Sequence, residues 1–424
     1  MKPEALVSIR DLRTYYSIRG SFVDRLAGRE AGTVRAVDQV SLDIRKGEVL
    51  GLVGESGSGK TTLGRTILGL VRATSGAIEF EGRDITRISE AEFRSLRRRM
   101  QVVFQDPHAS LNPAMTIGQA VGHPLEIHGI EKDRAKVRAR VSAVLERVGL
   151  APTEQYLDKY PSDLSGGQKQ RAVIARAIIL NPVLLVADEP VSMLDMSVRA
   201  KILELLLELK HDFDLTYLYV THDLATAKFF CDRIAIMYLG RIVEIGPAES
   251  IYSDPKHPYT QALLRAIPEP DPQRAVPRDL PRGEVPDAAF PPLGCAFHPR
   301  CPRAFEPCGW ESRDLRDLLE QRWASAAGDA AVETEQRLIG GLDTLRVPSS
   351  EVRWTPPKGV TADETLALLE RMRTDQPDEP LWKGVEQLAA ENGRLRLDFH
   401  LPHAPQLAPD GDVEVACHLY HPPV

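Results

Sequence analysis

The octapeptide Gly54-Glu55-Ser56-Gly57-Ser58-Gly59-Lys60-Thr61 decides the fold of this chain. A short apolar run over residues 48–54 precedes it, and apolar side chains follow at helical spacing at Leu63, Ile67, Leu68 and Leu70. The order of strand, glycine-rich loop and helix satisfies G-x-x-x-x-G-K-[ST], the pattern of a loop that holds phosphate groups. A glycine-rich turn with a solvated lysine is the alternative, and the placement between a strand and a helix argues against it.

The residues of this loop have separate expected roles. Glycine lets backbone N–H groups turn inward around phosphate oxygens, while Lys60 can reach the β and γ phosphates and the Thr61 hydroxyl can bind Mg²⁺. The sequence therefore predicts a nucleotide and Mg²⁺ as ligands. The other residues that we expect to contact the nucleotide are Gly54, Ser56, Gly57, Ser58, Gly59 and Thr62.

A second apolar strand, over residues 183–187, ends in two consecutive carboxylates, Asp188 and Glu189, before Pro190. Alternate strand residues face opposite ways, so the two acids can do different work. Asp188 would hold Mg²⁺, and Glu189 would polarise the attacking water as a general base. An apolar run ending in Asp-Glu is by itself often only a strand terminus, but its pairing with a phosphate loop favours the catalytic interpretation.

A glycine pair lies between these two strands, in Leu164-Ser165-Gly166-Gly167-Gln168. Ser165 is a plausible N-cap of the helical stretch that follows, and the two glycines expose backbone donors at the start of that helix. A helix N-terminus with free N–H groups attracts anions. On physical grounds alone, this turn is either an anion-binding site or a purely structural helix start.

Together, these segments resemble the ATPase subunit of an ABC transporter. The phosphate loop at 54–61, LSGGQ at 164–168 and VLLVADEP at 183–190 occur in that family's order and spacing. The resemblance implies an α/β fold, a P-loop NTPase of the ABC type, with a RecA-like core in residues 1–250 and a helical subdomain at about 106–175. It also implies that the nucleotide is ATP. Met193 stands where alanine is more usual, and we expect no functional consequence.

The resemblance assigns roles to four further residues. Gln105 resembles the glutamine that senses the γ phosphate and the metal, and His222 resembles the switch histidine near the γ phosphate, although a lone histidine after a strand is more often structural. Asp195 resembles the aspartate that faces the opposite subunit. Tyr16 resembles the aromatic residue that stacks on adenine, and since Tyr15 is adjacent, only one of the two can face the nucleotide from a strand.

The resemblance also implies a dimer of ATPase subunits. In this family, the LSGGQ segment of one subunit completes the nucleotide site of the other, so that ATP lies between them. The residues expected to contact the partner's nucleotide are Ser165, Gly166, Gly167, Gln168 and Asp195. Because the chain holds one set of motifs, the partner is a second copy or a paralogue.

The charge balance argues against a nucleic-acid binder. The 424 residues include 53 Lys plus Arg and 60 Asp plus Glu, a net charge of −7. The arginine-rich run at 96–100 is typical of a solvated helix face. We expect no transmembrane helix, because no apolar run approaches about 20 residues, and no signal peptide, because the start, MKPEALVSIRDLR, has no apolar core. The predicted location is the cytoplasmic face of the membrane, and a soluble ABC ATPase acting on DNA or ribosomes is the alternative.

A proline-rich stretch over residues 251–292 predicts an extended linker. Its pieces HPYT at 257–260 and LLRAIP at 263–268 resemble the tail of oligopeptide and dipeptide importer ATPases. This narrower resemblance implies a peptide importer with two transmembrane permease subunits and an extracytoplasmic solute-binding protein. Relatives with the same tail handle oligosaccharides, so another solute is the alternative.

Cysteines are concentrated in the remaining segment, residues 293–424. The spacing C-x5-C-x6-C with a distant fourth cysteine lacks the CxxC knuckles typical of structural zinc, and it suits a [4Fe–4S] cluster, as the resemblance also implies. Zn²⁺ and unliganded thiols remain alternatives, and His298 and His418 are expected beside the site. The cysteines concerned are Cys295, Cys301, Cys308 and Cys417, whereas Cys231 reads as a core thiol.

Residues 309–414 depart from the family pattern and read as an α/β insert within this C-terminal accessory or regulatory domain. The sequence predicts helices over 311–326, 332–342, 363–373 and 380–391. It also predicts a strand over 394–401 that pairs with 412–419. A cluster in such a domain would be either a structural staple or a redox sensor.

Overall fold

The computed structural model describes residues 4–18, 32–267, 281–325 and 330–423. It divides into two units, Met1–Ser253 and Asp254–Val424. The strands of the first unit are β1 Ala5–Ser17, β2 Thr33–Arg45, β3 Val49–Val53, β4 Ser75–Phe80, β5 Arg83–Asp84, β6 Met100–Val103, β7 Leu184–Asp188, β8 Thr216–Thr221, β9 Arg233–Tyr238 and β10 Arg241–Pro247.

The core sheet of the first unit runs in the order β10-β9-β3-β8-β7-β6. Five of these strands are parallel, and β10 pairs with β9 in the antiparallel sense. Strands β3, β7 and β8 are buried along their whole length, as expected for parallel strands covered on both faces. A second, antiparallel sheet has the order β2-β1-β4-β5.

Helices surround these sheets. They are α1 Lys60–Ile67, α2 Glu90–Leu96, α3 Pro107–Ser110, α4 Ile117–Ile127, α5 Arg134–Arg147, α6 Glu154–Leu157, α7 Gly166–Ile178, α8 Met196–Phe213, α9 Leu224–Phe230 and α10 Ala248–Ser253. Helices α4, α5 and α7 pack on one another, and α5 buries Val141 and Leu145 there. Within the described part of the chain, no helix is both long and apolar enough to cross a membrane.

Cys231 lies in the core of the first unit, as predicted. A Cβ on Gly51 would lie only 2.7 Å from its Sγ atom, so β3 approaches this thiol closely because position 51 has no side chain. Burial raises the pKa of the Cys231 thiol. The thiol is therefore a small buried apolar group rather than a nucleophile.

The second unit has its own small sheet, β11-β13-β12, with all neighbours antiparallel. Its strands are β11 Glu351–Trp354, β12 Val385–Glu391 and β13 Arg394–Phe399, and β14 Ala408–Asp410 pairs with β15 Val413–Val415 in the antiparallel sense. Its helices are α11 Pro258–Arg265, α12 Ser312–Ser325, α13 Ala330–Ile339 and α14 Ala362–Asp375. Short 3-10 turns cover His298–Arg300, Glu306–Cys308, Asp343–Leu345 and Pro380–Lys383, and one in the first unit covers Pro161–Asp163.

The structure confirms three of the four helices predicted within residues 309–414 and contradicts the fourth. Residues 380–391 form a 3-10 turn and strand β12 instead of a helix. Strand β13 exists, but it pairs with β11 and β12, whereas the predicted partner at 412–419 contributes β15, which pairs with β14. The predicted linker at 251–292 contains α11, because Pro258 occupies the first helical position, where its missing N–H costs nothing. Residues 268–280 of that stretch lie outside the described residues.

Candidate nucleotide-binding site

The loop between β3 and α1 requires glycine at two points. Gly59 has a φ of +103°, and a Cβ there would lie 1.9 Å from the Ala36 carbonyl oxygen. A Cβ on Gly54 would lie 2.1 Å from the carbonyl oxygen of Met237. Any larger residue would displace the backbone of a neighbouring strand or turn, so the loop conformation that exposes its N–H groups depends on these glycines.

Lys60 lies inside this loop. Its Nζ donates to the carbonyl oxygens of Gly54 at 2.7 Å and Glu55 at 2.8 Å. Burial lowers the pKa of the Lys60 ammonium, although the carboxylates of Glu189 and Asp188 act in the opposite direction. The ammonium is thus held where the loop encloses it, and phosphate oxygens are the acceptors that suit such a desolvated cation.

Thr61 and Asp188 form the second part of the site. Thr61 Oγ1 donates to Asp188 Oδ1 at 3.0 Å. Burial raises the pKa of the Asp188 carboxyl despite this hydrogen bond. A hydroxyl and a carboxylate are hard oxygen ligands, the type that Mg²⁺ prefers, so this pair fits the predicted metal.

Glu189 is held between two other predicted residues. Gln105 Nε2 donates to its Oε2 at 2.9 Å, and the imidazole Nδ1 of His222 lies 3.1 Å from its Oε1. Glu189 itself has a φ of +49°, and its N–H donates to the Val220 carbonyl oxygen of β8 at 2.9 Å. The ends of β6, β7 and β8 therefore bring together three residues that are far apart in sequence.

The two neighbouring tyrosines of β1 differ in their surroundings. The Tyr15 hydroxyl donates to the Asp38 carboxylate, which also accepts from Arg241 at 2.7 Å. Tyr16 is 43% exposed. Tyr16 is thus the one with a ring surface available for stacking, which agrees with the role predicted for it and leaves that role a prediction.

Ser165 caps α7 in the predicted manner. Its Oγ accepts from the Gln168 N–H at 3.4 Å, and Gln168 Oε1 accepts from the Ser165 N–H at 2.9 Å. Ser165 and Gly166 are exposed. Asp195 is the N-cap of α8, but its side chain makes no capping hydrogen bond and is exposed, so the carboxylate is available to another molecule.

Sequence reasoning missed two residues beside this site. Asp38 receives Tyr15 and Arg241, and Arg199 donates to backbone carbonyl groups that follow Glu189. Neither belongs to a recognisable motif, because the partners of both residues come close to them only in the folded chain. Asp38 is buried beside Val37 in β2, where most neighbouring residues are half-buried or exposed, and the sequence alone gives no signal for this.

A second candidate site lies in the second unit. All four predicted cysteines line one small cavity, together with His298 and His418 among others, and none of the four forms a disulfide bond: Cys295, Cys301, Cys308 and Cys417. Burial raises the pKa of Cys301 to about 12 and that of Cys308 to about 11, and each thiolate would repel its neighbours. Cys417 is therefore brought to the other three despite its distance in sequence.

The histidines beside this cavity bond to the protein. His298 bonds through Nδ1 to the Cys295 carbonyl oxygen at 2.8 Å and through Nε2 to Asp314 at 3.0 Å. His418 Nε2 lies 2.9 Å from the His403 carbonyl oxygen. Among the residues described, no group of three or more His, Cys, Asp or Glu side chains is arranged to hold a metal ion, so the expected cluster or Zn²⁺ has no preformed ligand set.

Two protein-family profiles match this chain. One, described as ABC transporter, matches residues 37–192. The other, described as oligopeptide/dipeptide transporter, C-terminal region, matches residues 243–308. The first contains the phosphate loop, the glycine turn and both carboxylates, and the second ends at the third cysteine.

Curated proteins and solved structures show the same likeness. A putative peptide import ATP-binding protein of Brucella ovis is 46% identical over 318 residues, covering 75% of this chain and 96% of that protein. The oligopeptide transport ATP-binding protein AppF of Bacillus subtilis is 45% identical over 325 residues, 76% of this chain and 97% of AppF.

The ATP-binding cassette MJ0796, solved as a dimer with ADP and phosphate, has a TM-score of 0.50 and 29% identity over 57% of this chain and 98% of its own. CbiO1 of Clostridium perfringens, part of an ABC transporter complex, has a TM-score of 0.51 and 27% identity over 59% and 92%.

Proposed function

This chain belongs to the ABC transporter family, within its peptide-import ATP-binding proteins, and we propose that the residues around Glu189 hydrolyse ATP to energise peptide uptake. The family membership confirms the resemblance read from the sequence and makes the chain an ATPase with a P-loop fold. The observation that carries the residue roles is the contact of Glu189 with both Gln105 and His222.

The proposed reaction is the attack of water on the γ phosphate. Glu189 orients the water and accepts its proton, while Gln105 and His222 fix the two carboxylate oxygens. The bond between the γ phosphorus and the bridging oxygen breaks, which yields ADP and inorganic phosphate. Lys60 neutralises phosphate charge. Thr61 and Asp188 would hold Mg²⁺, which supplies charge stabilisation when bound.

The exposed residues of the site support contact with a second ATPase subunit. Ser165, Gly166 and Asp195 are exposed, and we propose that the 165–168 turn and the Asp195 carboxylate meet the nucleotide of a second ATPase subunit, either a copy of this chain or a paralogue. Two transmembrane permease subunits and an extracytoplasmic binding protein would complete the importer. The chain would then lie at the cytoplasmic face of the membrane.

The names of the relatives support a peptide as the solute, because they describe peptide and oligopeptide transport. The C-terminal profile that matches residues 243–308 has the same description. An oligosaccharide or another solute stays the alternative. Specificity would then lie in the binding protein and permeases rather than in this subunit.

We propose in addition that the four cysteines hold a [4Fe–4S] cluster. They line one cavity, and their burial and mutual repulsion disfavour free thiolates, which a cationic group would stabilise. The support for a cluster is the shared cavity and the cysteine spacing, and Zn²⁺ stays the alternative. A structural staple is the simpler role, and redox regulation is the alternative.

The hydrolysis assignment is tested by Glu189→Gln. We expect ATP binding to persist and turnover to fall by about 10²-fold or more, because the general base is lost. Glu204→Gln, an exposed position on α8, is the matched control and should hydrolyse ATP normally. Near-normal turnover by the Glu189 variant would refute the assignment.

The cluster is tested by anaerobic purification with absorbance spectroscopy and analysis of iron, sulfide and zinc. We expect a broad band at about 400 nm and about four irons per chain. Cys417→Ser should lose the band, and Cys231→Ser, in the core of the first unit, should keep it. One zinc without colour, or no metal, would overturn the cluster while leaving the ATPase assignment intact.

A further inference from the structure

Arg199, in the first turn of α8, holds the segment 192–195 by its backbone. Its Nε donates to the Leu194 carbonyl oxygen at 2.8 Å, and its Nη2 donates to the Ser192 carbonyl oxygen at 3.2 Å. Arg199 is anchored in turn, because its own N–H donates to the Asp195 carbonyl oxygen at 2.9 Å. One planar guanidinium thus satisfies two carbonyl groups, with donors held in a fixed fork.

The near end of the segment is tied to Glu189. The Ser192 N–H and the Ser192 Oγ donate to the Glu189 carbonyl oxygen at 3.3 Å and 3.1 Å. Glu189 has a φ of +49°, a left-handed conformation that a residue with a side chain adopts only when its surroundings hold it there. The two hydrogen bonds from Ser192 help to hold Glu189 in this conformation, so a shift of the segment 192–195 would move the Glu189 backbone.

The other side of the segment packs on the glycine turn at 165–168. A Cβ on Gly167 would lie 2.8 Å from Val198 Cγ1, and a Cβ on Gly166 would lie 3.7 Å from Leu194 Cδ2. The missing side chain of Gly167 allows α8 to approach this closely. A displacement of the turn therefore presses directly on the residues that flank Asp195.

We propose that Arg199 is a positioning residue that couples the 165–168 turn to the backbone of Glu189. The inference rests on the proposed function, in which this turn binds the nucleotide of the partner subunit. The two guanidinium bonds make the segment move as one piece, so that nucleotide bound at the turn alters the position of the Glu189 carboxylate in the same chain. Each subunit's hydrolysis would then depend on occupancy of the other's site.

The test is ATP turnover by the assembled transporter with Arg199→Met and Arg199→Lys. We expect Arg199→Met to lower kcat by about tenfold, since a small misplacement of a catalytic group is costly, with little change in KM and a Hill coefficient that falls towards one. Arg199→Lys should be intermediate, because an ammonium lacks the fork that reaches both carbonyl groups. Lys201→Met, an exposed neighbour on α8, should behave as wild type.

A second readout separates positioning from general structural damage. In the Glu189→Gln background, ATP-driven association of the two ATPase subunits should be unchanged by Arg199→Met, because the turn and the phosphate loop remain intact. Unchanged kcat and Hill coefficient, or loss of ATP binding in both Arg199 variants, would overturn the proposal. If Arg199→Met does not fold, Arg199→Lys decides the question. The loss of turnover expected for Glu189→Gln does not depend on any result for Arg199. The hydrolysis assignment can therefore hold even if the proposal for Arg199 fails.

Discussion

Thr61, in the first turn of α1, donates a hydrogen bond to Asp188 at the end of β7, with 3.0 Å between Oγ1 and Oδ1. The residues meet because β3, which leads into the phosphate loop, and β7 both flank β8 in the sheet. The carboxyl ends of these parallel strands place the phosphate loop beside the carboxylates. This edge is where open α/β sheets bind their ligands.

The Thr61 hydroxyl should govern the requirement for Mg²⁺. Thr61→Val keeps the shape and removes the donor, which leaves the buried Asp188 carboxylate without its partner. We expect turnover to fall about tenfold or more at a fixed Mg²⁺ concentration, since hydrogen bonds to charged groups contribute about 1.5–3 kcal/mol. Thr61→Ser should restore activity. ATP hydrolysis measured across a Mg²⁺ titration checks this, and an unchanged Mg²⁺ dependence in Thr61→Val would exclude the role.

Gly59→Ala should abolish nucleotide binding. The new Cβ would meet the Ala36 carbonyl oxygen at 1.9 Å, at a φ of +103°, so the loop must move. Gly82→Ala is the matched control, because Gly82 also has a positive φ, of +73°, but no atom within 4 Å of the added Cβ. It should cost about 1 kcal/mol of stability and bind ATP normally. Equilibrium nucleotide titration and thermal unfolding distinguish the two, and ATP binding by Gly59→Ala would contradict the steric argument.

The residues of the nucleotide site can be predicted from the sequence because they lie where strands end. Asp188 directly follows a continuous apolar run, and Lys60 opens the helix after the glycine-rich loop that follows another such run, so both are marked by local patterns. Arg199 is not accessible in this way, because it acts on the carbonyl groups of Ser192 and Leu194. Carbonyl groups are present at every residue, so no pattern of letters marks which of them will be close to a guanidinium.

The insert shows where such reasoning fails. Residues 387–391 contain good helix formers, which favoured a helix, but propensity is a weak prior that tertiary pairing overrides. Asn392 and Gly393, with φ of +50° and +72°, form the turn between β12 and β13, and Asn-Gly is a strong hairpin signal that outweighs the helical composition. Gly384, which follows the preceding 3-10 turn, has no room for a side chain, since a Cβ there would lie 2.0 Å from the Trp310 ring.

Glu311 should make the second unit less stable as the pH rises. The residue is 1% exposed, and burial raises its pKa to about 7 from an ordinary 4.5, although Arg313 opposes this. Between these values the folded chain binds more protons than the unfolded chain, so stability falls with increasing pH. The loss amounts to about 3 kcal/mol at most, at about 1.4 kcal/mol per pKa unit.

Glu311→Gln should weaken this dependence. All four tryptophans, Trp310, Trp323, Trp354 and Trp382, lie in the second unit, so urea unfolding followed by tryptophan fluorescence reports that unit selectively. We expect the wild type to unfold at lower urea at pH 8 than at pH 5, and Glu311→Gln to show a smaller difference. Glu320→Gln, exposed on α12, should keep the wild-type difference. A variant and a wild type with equal pH dependence would show that Glu311 is not responsible.

Tyr15 and Tyr16 have different surroundings, so substitutions at the two positions should affect stability and the KM for ATP differently. Tyr16→Ala should raise the KM for ATP about tenfold, because stacking of an aromatic ring on a base contributes about 1–3 kcal/mol, and Tyr16→Trp should preserve it. Tyr15→Phe removes the donor to the buried Asp38 carboxylate and should cost about 1 kcal/mol of stability with little change in KM. Initial rates across an ATP series and thermal unfolding measure both effects. If Tyr15→Phe raised KM and Tyr16→Ala did not, the nucleotide would depend on the Asp38 network, and adenine would bind elsewhere than on the exposed ring.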